Sequence, residues 1–234
     1  MNRHDSDYFH VNKLLDRMKL IDASEEIYPS VEELLRLEMA FVQSQIKPHF
    51  LYNTINTISA FSIDNPKMTR DLLVKFSQYL RGCFDLRNRD KLVTFHKELE
   101  LVETYLFIEK ARFGERLKVI YDIEDKIDCM LPPLIIQPLV ENSVQHGLEP
   151  MKKGGVIKVS AHSEENFVII TVEDDGIGIS DEVYGKLFED KESEGSSLKK
   201  INQRLIYLYN IGLAIERGIE RGTKVKICIP KKFI

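Results

Sequence analysis

Apolar residues in the first part of the chain recur at three- and four-residue intervals, and in the second part that spacing gives way in places to strict alternation. Tyr28-Pro29-Ser30, with Glu33 three places beyond Ser30, has the form of a helix N-terminal capping box. Residues 1–30 therefore read as a linker or short helical lead. From Val31 to about Ile63, Leu34, Leu35, Met39, Val42 and Ile46 supply one apolar helical face. Pro48 interrupts that run: it has no N–H for the carbonyl of Ser44, so the helix bends there or restarts with Pro48 in its first turn. Asp64-Asn65-Pro66 signals a turn, and Leu72, Leu73, Phe76, Tyr79 and Leu80 predict a second helix from about Lys67 to Phe84. Two long helices joined by a short turn form an antiparallel hairpin. Such a hairpin cannot bury its apolar stripes alone, which predicts pairing with a second copy into a four-helix bundle.

A third helix is predicted from Val93 to about Arg112 by Leu99, Val102, Leu106 and Ile108. Beyond it, Leu117–Ile123, Val156–Ala161, Phe167–Val172 and Lys224–Ile229 read as strands. Between them, Pro132 to His146 reads as a helix opened by prolines, and residues 198–211 as another. Helices mixed with adjacent strands predict an α+β sandwich, one sheet layered against helices.

The composition fits that architecture. A chain of 234 residues with 43% hydrophobic content can bury a sizeable core. It has no apolar run of about 18 residues and no basic segment followed by an apolar one at the N-terminus, so a cytoplasmic chain is expected. Cys83, Cys129 and Cys228 are odd in number and lack metal-type spacing, which predicts reduced thiols rather than a disulfide framework or zinc site. A net charge of −4 and a pI of about 5.9 argue against a general nucleic-acid surface.

Chemistry concentrates in two places. Within Gln43-Ser44-Gln45-Ile46-Lys47-Pro48-His49-Phe50-Leu51-Tyr52-Asn53, a histidine follows the proline directly, and His49, Asn53 and Asn56 fall on one polar stripe beside Leu51, Ile55 and Ile58. A lone helical histidine is more often a surface or core residue, so this stripe alone carries little. The second constellation lies downstream. Asp174-Asp175-Gly176-Ile177-Gly178 closes a predicted strand, where a carboxylate can accept from an exocyclic amine and glycines let backbone approach a ligand. Asp-Gly is also common turn chemistry. On the preceding helix, Asn142, Gln145 and His146 share a face at i, i+3, i+4, and an amide oxygen there can ligate magnesium, which needs few protein ligands while it bridges phosphates.

Taken in order, these segments resemble the boxes of LytS/YehU-type sensor histidine kinases: QSQIKPHFLYNTIN the phosphoacceptor box, PPLIIQPLVENSVQHG the N box, and VEDDGIGI the G1 box of a Bergerat-type ATP-binding fold. With RFGERL at 112–117 and GTKVKICIP at 222–230, the similarity runs from about Arg36 to the C-terminus. The resemblance implies a dimerising phosphotransfer hairpin over 31–92 and a catalytic ATP-binding domain over 93–234. It implies that His49 is the phosphoacceptor, Asn142 the Mg²⁺ ligand and Asp174 the adenine-reading carboxylate, with Gly176 and Gly178 lining the ATP pocket and Thr223 supporting adenine through a water. Glu141 and His146 match N-box positions and would support the phosphates. Gly195 and Leu198 fall in the second glycine box, where Ser197 replaces a glycine and Lys200 an asparagine, and Lys199 or Lys200 could supply compensating charge. Arg221 stands where a glycine is common.

Imidazole ordinarily titrates near pH 6.5, so a neutral ring can act as nucleophile with little base assistance. The residue after His49 is Phe50, so no adjacent carboxylate serves as base; Asn53, one turn on, is a candidate to hold the ring tautomer. The implied activity is ATP-dependent autophosphorylation of His49 in a homodimer, then transfer to an aspartate on a response-regulator receiver domain. Direct nucleic-acid contact is not expected, and a membrane would be met only through a sensory region outside this chain. Two other readings stand beside it: a non-catalytic or phosphatase-type dimeric signalling module with an altered ATP lid, and an ATPase of the same fold in which Glu141 activates water.

Overall fold

In the computed structural model, residues 47–87, 92–179, 197–217 and 221–231 are described. The lead over 1–30, the helical run from Val31 through Ile46, and Gly195 lie outside them. The described residues all belong to one compact unit, Ile46–Ile234.

Helix α1 (Pro48–Asp64) opens at its proline, with Lys47 non-helical at φ −57° and ψ 119° before it. Of the two behaviours open to Pro48, the described helix starts there rather than bending through it. After Asn65, whose side chain accepts from Met68 N–H at 3.0 Å, α2 (Pro66–Arg87) completes the hairpin. The buried side of α1 is set by Phe50 and Thr54, whereas Ile55 of the expected apolar stripe is 52% exposed. Phe50 packs its ring 4.9 Å from Tyr79 and 5.1 Å from Tyr105, and this aromatic cluster turns the helix.

Helix α3 (Phe95–Phe113) starts two residues later than its pattern suggests, because Val93–Thr94 forms a short strand β1 paired with β3 (Met130–Leu131). A 3₁₀ turn (Gly114–Arg116) leads into β2 (Leu117–Ile123). The helix expected from Pro132 begins only at Ile136, as α4 (Ile136–Asn142). Leu134 adopts φ 59°, and the carboxylate of Glu98 on α3 accepts the N–H groups of Leu134, Ile135 and Ile136 at 2.5, 3.0 and 2.9 Å. A buried carboxylate thus satisfies helix-terminal donors that no local capping residue reaches. The helix then widens into a π turn, Ser143–Leu148.

Strands β4 (Gly155–Ser163), β5 (Phe167–Asp174), β6 (Ala214–Arg217) and β7 (Thr223–Pro230) join β2 in one sheet, with α5 (Ser197–Tyr209) between β5 and β6. Its order is β2-β4-β5-β7-β6, with β2 and β4 parallel and the other pairs antiparallel. Ile157, Val159 and Ala161 of β4, Val168, Ile170 and Val172 of β5, and Val225, Ile227 and Ile229 of β7 alternate into the core. They share that core with Ile108, Ile136, Leu139, Val140, Val144, Ile201 and Leu205 from the helices. This is the expected α+β sandwich. The three short strands β1, β3 and β6 have no alternation long enough to be read from sequence.

Candidate functional site

Three groups of predicted residues take their places on this frame. The first surrounds the end of β5. Asp174 is 4% exposed, and its Oδ1 accepts the Gly176 N–H at 3.0 Å. Burial raises its carboxyl pKa from the ordinary aspartate value, while hydrogen bonds from Gly176 N–H, the Ser143 hydroxyl and Thr223 N–H act the other way. Backbone crowds it closely. A Cβ on Gly147 would stand 2.7 Å from Asp174 Oδ1, and one on Gly176 would overlap the Gly147 backbone. Gly222, at φ 89°, lies where any Cβ would strike the Asp174 carbonyl. Thr223 pairs with Asp174 across β5 and β7, and Gly178 passes the Gly222 carbonyl. Asp174, Gly176, Gly178 and Thr223 are therefore brought together, and Ser143 and Gly222 complete a set that spacing alone did not single out.

The second group sits where α4 meets α5. The Asn142 amide donates to Ser197 Oγ at 2.8 Å, and that hydroxyl lies 3.2 Å from Asn142 Oδ1. Leu198, Lys199 and Lys200 follow in the first turn of α5, with Lys200 exposed. The shared face expected of Asn142, Gln145 and His146 assumed α spacing. In the structure the three have different surroundings: Asn142 meets Ser197, Gln145 accepts from Lys47 Nζ at 2.8 Å, and His146 is exposed. Among the described residues no group of three or more His, Cys, Asp or Glu could cage a metal. A single amide oxygen suits magnesium, which keeps waters and takes most of its remaining ligands from phosphate.

The third group gathers at the start of α1. The His49 side chain is 61% exposed, with Asn53 Nδ2 3.1 and 3.3 Å from its ring nitrogens and Glu149 Oε1 4.0 Å from Nε2. Arg112 Nη1 holds Glu149 at 3.1 Å, and Arg112 in turn pairs with the buried Glu109 at 2.6 Å. Burial pushes the Glu109 carboxyl up to about 7 against the pull of Arg112. The carboxylate facing His49 thus comes from a residue a hundred positions away, while the adjacent Phe50 is part of the core. Glu141, expected near phosphates, is buried toward the hairpin. It accepts from Tyr79 Oη at 2.9 Å and Gln137 Nε2 at 2.5 Å and pairs with Lys47 at 3.4 Å.

Residues 37–117 match the family model described as histidine kinase, and residues 131–232 the model of histidine kinase-, DNA gyrase B- and HSP90-like ATPases. An uncharacterised Bacillus subtilis protein, YwpD, is 43% identical over 86% of this chain and 72% of its own length. The Escherichia coli sensor histidine kinase YpdA is 40% identical over 84% of this chain, and the sensor protein LytS of Staphylococcus haemolyticus 38% identical over 84%. The chain spans 35% of the length of each of these two sensor proteins. Among solved structures, the histidine kinase domain of an Erythrobacter litoralis blue-light activated kinase is similar at a TM-score of 0.45, with 21% identity over 82% of this chain and 92% of that one. Two family models in the expected order, together with relatives above 30% identity, make this chain a member of the histidine kinase family, of the LytS type, with an ATPase domain of the gyrase and HSP90 kind.

Proposed function

We infer that the chain transfers the terminal phosphoryl group of ATP to His49, and that the phosphorylated form passes it to an aspartate on a response-regulator receiver domain. The observation that carries this reading is the buried, glycine-walled carboxylate of Asp174 in the same compact unit as an exposed, oriented imidazole at His49. An ionised Asp174 would accept from the exocyclic amine of adenine, and the glycines around it let the backbone of neighbouring segments close tightly on that carboxylate. Asn142 Oδ1 would hold Mg²⁺, which when bound neutralises phosphate charge and orients the terminal phosphoryl group. A neutral His49 ring nitrogen then forms an N–P bond as the P–O bond to ADP breaks, the electron pair leaving with ADP. The Asn53 Nδ2 amide, which can only donate, lies beside both ring nitrogens. It steadies the ring before attack and gives up the accepting nitrogen's lone pair as the N–P bond forms, while the proton on the far nitrogen stays in place.

A second reading has one observation of its own. Ser197 bonds to the amide of Asn142, so the residue standing in place of a glycine engages the proposed metal ligand. In that reading the chain binds partners as a dimeric module without productive ATP chemistry. Labelled ATP with Mg²⁺, applied to the wild type and to His49→Gln, separates the two. Acid-labile label in the wild type and none in the variant is expected. Nucleotide binding without label favours the module, and phosphate release indifferent to His49 favours an ATPase.

A further inference from the structure

Lys47 stands at the junction between the phosphoacceptor helix and the ATP-binding domain. Its carbonyl accepts the N–H groups of Phe50 at 2.9 Å and Leu51 at 3.4 Å, so it anchors the first turn of α1. Its ammonium reaches the other way, donating to Gln145 Oε1 at 2.8 Å and pairing with Glu141 Oε2 at 3.4 Å. Glu141 is the immediate neighbour of Asn142, and only 6% of its side chain is exposed. Its other oxygen is occupied by Tyr79 of α2, which also accepts from Gln137 at 2.6 Å. One ammonium therefore links the start of α1 to the metal-ligand helix and, through Glu141, to α2.

The linkage is stiff where it needs to be. Between Lys47 and His49 lies only Pro48, whose ring fixes φ. On the far side of the histidine, Glu149 approaches the ring at 4.0 Å from the residue that follows the π turn. Gln145 and Glu149 thus hold the chain two residues apart, at Lys47 and at His49. Gln145, within the π turn, and Glu149, just after it, both face this short segment. Because an unpaired buried carboxylate is costly, the Lys47–Glu141 contact is a strong determinant of where α1 begins.

We propose that Lys47 is a positioning residue for phosphoryl transfer: its ammonium, held by Glu141 and Gln145, sets the place and orientation of His49 relative to the Asn142 helix. The proposal rests on His49 being the phosphoacceptor.

The test compares the wild type, Lys47→Met, Lys47→Arg and the double variant Lys47→Met/Glu141→Gln for acid-labile label from ATP, KM for ATP and thermal melting, with His49→Gln as the reference. The double variant removes both charges, so it leaves no buried ion unpaired and keeps the Tyr79 and Gln137 partners. The expected result is a 10- to 100-fold fall in the labelling rate of Lys47→Met and of the double variant, KM for ATP within twofold of wild type, and recovery of most of the rate in Lys47→Arg. A folded double variant that labels at the wild-type rate overturns the proposal, as does parallel loss of rate and ATP affinity. Label that persists in His49→Gln overturns instead the assignment of the phosphoacceptor.

Discussion

Glu109 illustrates how a single buried side chain ties this protein to pH. It is 2% exposed, its partner Arg112 reaches on to Glu149, and its carboxyl is raised from 4.5 to about 7 chiefly by burial. The folded state therefore holds the proton more tightly than the unfolded chain. The stability this gives is complete below about pH 4.5 and is lost as pH rises through about 7. Over that interval the difference in unfolding free energy between Glu109→Gln and wild type should move by up to about 3 kcal/mol in favour of the variant. Urea melts of both proteins at intervals from pH 5 to 8.5 check this; a pH-independent difference contradicts it. At the same scale, Phe50 shows why no carboxylate follows His49: that position is 2% exposed among Tyr79, Phe76 and Tyr105, where a charge would be unpaired.

At the scale of elements, the segment from β3 into the π turn is the most instructive. Its two prolines and the φ 59° of Leu134 prevent a helix from starting where the apolar pattern does. What starts α4 instead is Glu98, fully buried and accepting three successive N–H groups. Burial raises its pKa while those N–H bonds lower it, so the carboxylate and the helix terminus stabilise one another. Glu98→Ala should leave these donors buried without acceptors and cost about 2–4 kcal/mol. The shift in urea midpoint measures it, and because α4 carries Asn142, the same variant should also lose affinity for Mg-ATP. The π turn had no signal in the sequence, since its apolar spacing fits an α-helix as well.

At the scale of the whole molecule, the hairpin keeps apolar surface that the described residues do not cover. Ile55, Ile63, Leu73 and Val74 are between 49% and 85% exposed on α1 and α2. Isolated exposed apolar residues are ordinary, but four on one helical hairpin are what a bundle with a second copy would cover. Sedimentation should accordingly give twice the 27.2 kDa of the chain, and Leu73→Glu with Ile55→Glu should shift it toward the single-chain mass. A wild type that sediments as a monomer at micromolar concentration rules this out. No helix among the described residues is long and apolar enough to cross a membrane. The same hairpin also packs on α3, through Phe50 and Tyr79 against Tyr105, within one unit with the sheet.

By itself the sequence determined the α+β class, the helical hairpin, the long strands and the order of the motifs, because each rests on periodicity or on local spacing of a few residues. It also brought Asp174, Gly176 and Gly178 onto one strand end, since they are adjacent in the chain. Tertiary structure alone decided what depends on residues far apart: Glu149 beside His49, Lys47 on Glu141 and Gln145, Ser197 on Asn142, and Glu98 as the cap of α4. Buried polar groups must find partners wherever folding brings donor and acceptor together, and no local pattern records which distant residue that will be.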